Sequence, residues 1–84
     1  MTTKQTAAQA YEERQNDVGA LLDTLAQQMR MHADYAKADG MDWAKVGDLT
    51  EVRRQLIQTL AFLAQQDETF IENHLQEMRE GRKA

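Results

Sequence analysis

Apolar residues recur every three or four positions along two long stretches of the chain, roughly residues 6–38 and 48–80. This spacing predicts amphipathic α-helices, because a helix with about 3.6 residues per turn places such positions on one face. Both stretches are rich in Ala, Leu, Gln, Glu, Met and Arg, which are strong helix formers, and the chain contains no proline. The pattern therefore predicts an all-α protein with two helices of about 33 residues, each near 50 Å long.

Residues at the ends of these stretches predict where the helices begin and end. Thr6, with Gln9 three residues later, fits a capping box, and Asp48 with Glu51 fits a second one. Gly40 is expected to end the first helix in the left-handed conformation that glycine adopts without steric cost. The connection that remains is short, which favours antiparallel helices.

These signals together predict a single domain over residues 1–84, folded as an antiparallel two-helix hairpin. Its elements are a helix at about 6–38, a turn at 39–47, a helix at about 48–80 and a short charged tail at 81–84.

The apolar face of each predicted helix is wider than one partner helix covers. On the first helix it comprises Tyr11, Val18, Leu21, Leu22, Leu25, Ala26, Met29, Ala33 and Ala36. On the second it comprises Leu49, Val52, Leu56, Ile57, Leu60, Leu63, Ala64, Phe70, Ile71, Leu75 and Met78. A pairwise seam uses about two residues per heptad, whereas these faces offer three or four. We therefore expect two hairpins to pair as a homodimeric four-helix bundle with two-fold symmetry. The alternatives are a lone hairpin and a hairpin that depends on a different protein for cover.

Several apolar residues are candidates for contacts with the second copy or with another protein. Those expected at the dimer or partner interface are Leu21, Leu25, Phe62, Leu63 and Phe70. A further set near the turn could form one contact patch for a protein partner, and it comprises Met31, Tyr35, Met41 and Trp43. The alternative for Trp43 is a structural role, in which it and Val46 plug the open end of the bundle.

Of the polar residues that fall within or at the edge of the apolar faces, three are candidates for setting the register of the helices: Arg14, Asp67 and His74. A charge in a helix seam is costly unless it is paired, and a paired one often sets the register of the helices. We expect this role here, with Arg14 as a candidate partner for Asp67. The alternative is a ligand-binding pocket centred on Asp67 and His74.

Enzymatic chemistry is not expected. The chain has no cysteine and no serine to act as a nucleophile, and it has two histidines. Neither histidine has a glutamate three residues before it, the spacing that di-iron bundles use, and the two do not form a zinc-binding helix motif. The sequence thus predicts no catalytic residues, no metal and no cofactor.

The charge balance restricts the class of partner. A net charge of −4 and an isoelectric point near 5.0 favour a soluble cytoplasmic protein and disfavour nucleic acid or anionic membranes. No apolar run has the length of a membrane span, and no apolar segment of a secretory signal follows the first residues. The alternative is a hairpin that binds nucleic acid through basic residues near the turn, namely Arg30, Lys37, Lys45, Arg53 and Arg54.

The segment from Asp42 to Leu56, followed by Phe62 and Leu63, resembles a pattern in short bacterial helical-hairpin proteins. That pattern is a Trp-x-x-Val-Gly-(Asp/Ser)-Leu-x-x-Val turn followed by a helix. The resemblance implies a small helical hairpin and supplies no activity. Together these features predict a non-enzymatic protein-interaction module, such as a regulator, adaptor or accessory subunit, that pairs with itself and with an unidentified protein.

Overall fold

The computed structural model describes the backbone of residues 4–83 and the side chains as far as residue 81. Within this range the regular structure is entirely helical: α1 spans Ala7–Asp39, α2 spans Trp43–Ala64 and α3 spans Glu68–Lys83. The predicted all-α class is therefore confirmed, but the number of helices is three and not two. The chain divides into two compact units between Gly40 and Met41, so that α1 belongs to the first unit and α2 and α3 belong to the second.

The start and the end of α1 follow the predicted chemistry closely. The Thr6 hydroxyl accepts a hydrogen bond from the Gln9 amide at 3.1 Å, and the Gln9 side chain accepts one from the Thr6 amide at 2.9 Å. This reciprocal capping box confirms the predicted start. Gly40 ends the helix with φ +117° and ψ +138°, and its amide donates to the Ala36 carbonyl at 2.9 Å. The positive φ requires glycine, although the conformation is extended in ψ and is not the predicted left-handed helical one.

The start of α2 differs from the prediction. Its N-cap is Asp42, whose carboxylate accepts from the Lys45 amide at 3.1 Å, so the helix begins at Trp43 and not at residue 48. The predicted capping box of Asp48 and Glu51 is wrong, because both residues lie inside α2. Asp42 offers the same capping chemistry earlier in the chain, and a helix tolerates an internal glycine at a cost of about 1 kcal/mol.

The predicted second helix is interrupted at residues 65–67. Gln65 adopts the left-handed conformation, with φ +57° and ψ +42°. Its amide donates to the Phe62 carbonyl at 3.3 Å, and the Gln66 amide donates to the Ala61 carbonyl at 3.0 Å. These two bonds form a Schellman motif, which satisfies carbonyls that would otherwise lack partners at the end of α2.

Asp67 then begins α3. Its carboxylate accepts a hydrogen bond from the Phe70 amide at 2.8 Å, which is the geometry of an N-cap, and Glu68 places a second acidic group in the first turn. The apolar periodicity continues through this point, so the periodicity alone did not reveal the break. The polar group at residue 67 caps a new helix and does not continue the old one.

The two helices of the second unit pack through a small core next to the break. Ile57 and Ala61 of α2 cluster with Ile71 of α3, and all three are buried. At the edge of this core the Arg53 guanidinium forms an ion pair with the Glu72 carboxylate at 3.0 Å. The helix pair that the structure shows is thus α2 with α3.

Candidate interaction surfaces

The apolar face of α1 is the longest exposed apolar feature of the first unit. We define the α1 stripe by the residues that recur on one side of the helix, which are Tyr11, Val18, Leu21, Leu22, Leu25 and Met29. Leu21 exposes 66% of its surface, Leu22 exposes 57%, and Leu25 is half-buried. Because α1 is the only helix of its unit in the described residues, no other element of that unit covers the stripe.

A second apolar face lies on α2. We define the α2 stripe as Leu49, Val52, Leu56, Leu60 and Leu63. At about 100° per residue, its centre is about 100° around the helix from Ile57, so it is a different face from the one that packs against α3. Val52 is half-buried, whereas the other four are exposed. Of the predicted interface residues, Leu63 is on this stripe.

The break between α2 and α3 exposes large apolar side chains. Phe62 and Leu63, in the last turn of α2, expose 84% and 77% of their surfaces, and Phe70, in the first turn of α3, exposes 51%. The sequence predicted all three as interface residues on one continuous helix. In the structure they flank the break, which the apolar pattern did not reveal.

The residues predicted to form a patch near the turn are all exposed. Met31 and Tyr35 belong to the first unit, and Met41 and Trp43 belong to the second. Trp43 is the first residue of α2 and exposes 85% of its surface. Within one chain it therefore does not cover a core, and its role as a plug, which concerns a bundle of two copies, stays a prediction.

The three predicted register-setting residues lie in different local environments: one forms an ion pair, one caps a helix and one is exposed. Arg14 forms an exposed ion pair with its neighbour Glu13 at 3.2 Å, and Asp67 caps α3. Each charge thus has a partner close in sequence, so neither needs the other. His74 is exposed on α3, about 10 Å along the helix from Asp67, a spacing that does not bring the two groups together in a pocket.

The first basic residue of the second unit is neutralised locally. Lys45 is buried, and its ammonium group lies 3.3 Å from the carboxylate of Asp42, the N-cap of the same helix. The pKa of Asp42 is lowered from its ordinary value, first by the hydrogen bond from the Lys45 amide and then by the one from the Lys45 side chain. This pair fixes the start of α2.

Two further basic residues are paired with carboxylates. Arg53 binds Glu72, and Arg54 binds Glu51 through two hydrogen bonds, of which the one from Nε to Oε1 is 3.0 Å long. The Arg54 guanidinium lowers the pKa of Glu51 to about 2, with a smaller contribution from the Gln55 side chain. In turn Glu51 raises the pKa of Arg54. The cluster predicted to contact nucleic acid therefore includes three cations already engaged by acidic side chains.

Residues 4–83 contain neither a cluster of metal-ligating side chains nor a helix suited to cross a membrane. No group of three or more His, Cys, Asp or Glu side chains there could hold a metal ion. The helices from residue 7 to residue 83 include none that combines the length and the apolarity needed to cross a bilayer.

No protein-family model, curated protein or solved structure matches the chain. The resemblance to short bacterial hairpin proteins therefore stays a prediction.

Proposed function

We propose that this chain is a non-enzymatic protein-interaction module that acts as a homodimer, in the role of a small regulator, adaptor or accessory subunit. The observation that carries the proposal is the α1 stripe, a row of mostly exposed apolar side chains on a helix that has no second helix beside it among residues 4–40 of its unit. A second copy supplies an identical stripe, and two-fold pairing of a self-complementary surface is the commonest way to cover one.

Energetics support a partner for α1. An isolated helix is only marginally stable in water, and most helical stability in proteins comes from packing an apolar face. Burying a Leu, Val or Met side chain fully contributes about 1.5–3 kcal/mol. Side chains such as Leu21 and Leu22 are more than half exposed, so much of that free energy is available to association.

The most exposed aromatic residue supports a second contact, with another protein. Trp43 is the first residue of α2, Met41 lies two residues before it, and both have most of their surfaces in solvent. Trp is enriched among residues that dominate interface energies, since it brings a large rigid apolar surface and a hydrogen-bond donor. In the proposed module α1 pairs the two copies, and Trp43 anchors the partner.

Charge favours a protein over a nucleic acid as that partner. Arg53 and Arg54 bind carboxylates of their own chain, which lowers the gain from contacting phosphates. In helix-turn-helix proteins the N-terminal part of the second helix contacts bases, whereas α3 begins with Glu68. This acidic group would repel a phosphate backbone.

Sedimentation equilibrium of the full chain tests the dimer, with a matched pair of charge substitutions. Leu21→Glu places a carboxylate on the α1 stripe, and Ala20→Glu places the same group on the opposite side of α1. We expect a dimer at micromolar concentration for the unchanged chain and for Ala20→Glu, and a dissociation constant raised at least about tenfold for Leu21→Glu. A cooperatively melting monomer would contradict the proposal, and equal behaviour of both variants would remove the α1 stripe from the interface.

The partner contact is tested by affinity capture with two aromatic variants. Trp43→Ala removes the proposed anchor, and Phe62→Ala removes a similarly exposed aromatic residue at the other end of α2. We expect a protein recovered by the unchanged chain and by Phe62→Ala to be lost with Trp43→Ala. Equal recovery by all three would show that Trp43 is not the anchor.

A further inference from the structure

One edge of α1, beside the α1 stripe, carries opposite charges towards its two ends. Glu12 lies in the second turn of the helix and Arg30 follows 18 residues later, which is five complete turns, so both lie on the same side of α1. Measured around the helix from Val18, at the centre of the stripe, both lie at about 120°. This is close to the flanking positions that form ion pairs between the helices of a coiled coil.

These two charges have no partner within the described part of the chain. Glu12 and Arg30 are exposed, and the ion pairs and side-chain hydrogen bonds among residues 4–81 do not include them. They cannot reach each other within one helix, because five turns separate them by about 27 Å. A second copy of α1 that runs in the opposite direction brings each of them to a residue of opposite charge.

The two charges are centred on the stripe. The midpoint between Glu12 and Arg30 is Leu21. The stripe runs from Tyr11 to Met29, and its midpoint lies one residue before Leu21. Two copies that pair in opposite directions about Leu21 therefore cover both stripes along their length. The same two-fold arrangement places each Glu12 level with Arg30 of the other copy and makes the ion pair twice.

The opposite choice, with both copies running in the same direction, is unfavourable for charge. Parallel helices place each residue beside its own copy, so that Glu12 would approach Glu12 and Arg30 would approach Arg30. The helix dipoles act in the same sense, because antiparallel helices bring the positive N-terminal end of one near the negative C-terminal end of the other. Side-chain charge and helix dipole therefore both favour the antiparallel direction.

We propose that the two copies of the homodimer pair their α1 helices antiparallel about Leu21, with Glu12 of each copy bound to Arg30 of the other. This inference rests on the proposed homodimer, and it specifies the direction and the register of the contact. The C-terminal ends of the two α1 helices then lie at opposite ends of the contact, about 54 Å apart.

Cysteine cross-linking distinguishes the two directions, because the chain contains no cysteine of its own. Full-length Tyr11→Cys and Met29→Cys chains are mixed in equal amounts, allowed to exchange subunits and oxidised in a glutathione buffer. The antiparallel contact places residue 11 beside residue 29 of the other copy and keeps the two residues 11 about 30 Å apart. We expect mass spectrometry to find the mixed disulfide, with neither variant linked to itself.

A nitroxide label measures the direction without a change in the stripe. Ala8 is exposed near the start of α1, 13 residues from Leu21, and Ala8→Cys provides the attachment site. The antiparallel dimer separates its two labels by about 39 Å, whereas a parallel dimer keeps them within about 20 Å. Sedimentation equilibrium of the same labelled sample gives the oligomeric state.

Reversal of charge tests the register. Glu12→Arg places like charges opposite each other and should raise the dissociation constant of the dimer at least about threefold at low salt. Adding Arg30→Glu to the same chain restores the attraction, so the double variant should return to within about twofold of the unchanged chain. Glu13→Arg makes the same change of net charge on the other side of α1 and is the control, which should lack this effect.

The possible results separate this inference from the homodimer itself. Variants that link only to themselves, with a short label distance, would overturn the antiparallel direction and leave the homodimer intact. A dimer that forms neither disulfide would place the contact on a surface other than α1. Equal dissociation constants for Glu12→Arg and Glu13→Arg would overturn the ion pair and its register. A monomer at every concentration would overturn the homodimer and this inference together.

Discussion

The two units of this chain use similar residues and reach different degrees of burial. The first unit contains α1, a helix of 33 residues, while the second contains α2 and α3, of 22 and 16 residues, joined by a short turn. The second unit buries Ile57, Ala61 and Ile71 in a core of its own, and in the first the buried apolar residue is Ala36. The comparison shows that a turn, and not a higher content of apolar residues, provides a helix with something to pack against.

The polar residues at the break account for this difference. In the second unit Gln65 ends one helix and Asp67 caps the next, which turns the chain back and brings Ile71 to Ile57. The first unit continues without such an interruption from Ala7 to Asp39. The α1 stripe therefore depends on another part of the protein or on another copy for its burial.

Hydrogen exchange of the full chain at low protein concentration is expected to show the largest contrast between the units. Amides around Ile57 should be protected at least about tenfold more than those around Val18, because opening the core exposes isoleucine side chains and opening a lone helix does not. Equal protection of both helices under conditions where the protein is monomeric would contradict the comparison. Rising protection of α1 with concentration would show the second copy covering it.

Removing a core side chain should have the next largest effect. Ile71→Ala deletes one of three core residues and is expected to lower the free energy of unfolding by about 2–4 kcal/mol. Phe62→Ala removes a larger side chain that is almost fully exposed, and its effect should stay below about 0.5 kcal/mol. Urea denaturation followed by circular dichroism measures both, and similar losses would mean that Phe62 is covered in solution.

The helix caps are expected to contribute less than the core. Asp67→Ala removes the acceptor of the Phe70 amide and should destabilise the second unit by about 1 kcal/mol. Asp48→Ala alters a residue inside α2 that the sequence alone would nominate as a cap, so α2 should still begin at Trp43 in this variant. Thermal unfolding measures the loss in Asp67→Ala, and hydrogen exchange measures the start of α2 in Asp48→Ala, where loss of protection before residue 48 would restore the predicted start.

A pH dependence at the Glu51–Arg54 pair is the smallest expected effect. The pKa of Glu51 in the folded state is about 2, below the ordinary value of 4.5. Ionised Glu51 therefore stabilises the fold above pH 4.5, and this contribution is lost as the pH falls towards 2. Glu51→Gln should reduce the decline of the melting temperature in that interval. A double-mutant cycle with Glu51→Gln, Arg54→Gln and the double variant isolates the interaction free energy of the pair. Additive effects on stability would show that the two side chains do not interact in solution.

Much of the secondary structure could be predicted from local signals. The capping box of Thr6 and Gln9 and the end of α1 at Gly40 follow from residues within a few positions of one another. The start of α2 was misjudged because Asp42 and Asp48 carry the same capping chemistry, and their spacing does not rank them. The break at Gln65 was missed because glutamine is a good helix former and seldom marks a left-handed position.

The candidate surfaces were predicted in part. Apolar periodicity identified the residues that remain exposed, such as Leu21 and Leu63, but it assigned Ile57 and Leu60 to one wide face. In the structure Ile57 packs against α3 while Leu60 stays exposed on the α2 stripe. The division of that face depends on the direction of α3, which no local pattern specifies.

By itself the sequence determined the helical class, the cap of α1 and the presence of more apolar surface than the core of the chain contains. Those properties depend on residue type and on neighbours within one or two turns. Only the tertiary structure decided that α3 turns back on α2 and that Ile57, Ala61 and Ile71 form the core. The reason is that the bend forms only where burial of the core side chains contributes more free energy than the left-handed conformation of Gln65 costs. Those side chains are far apart in sequence, and a local pattern does not encode contacts of that range.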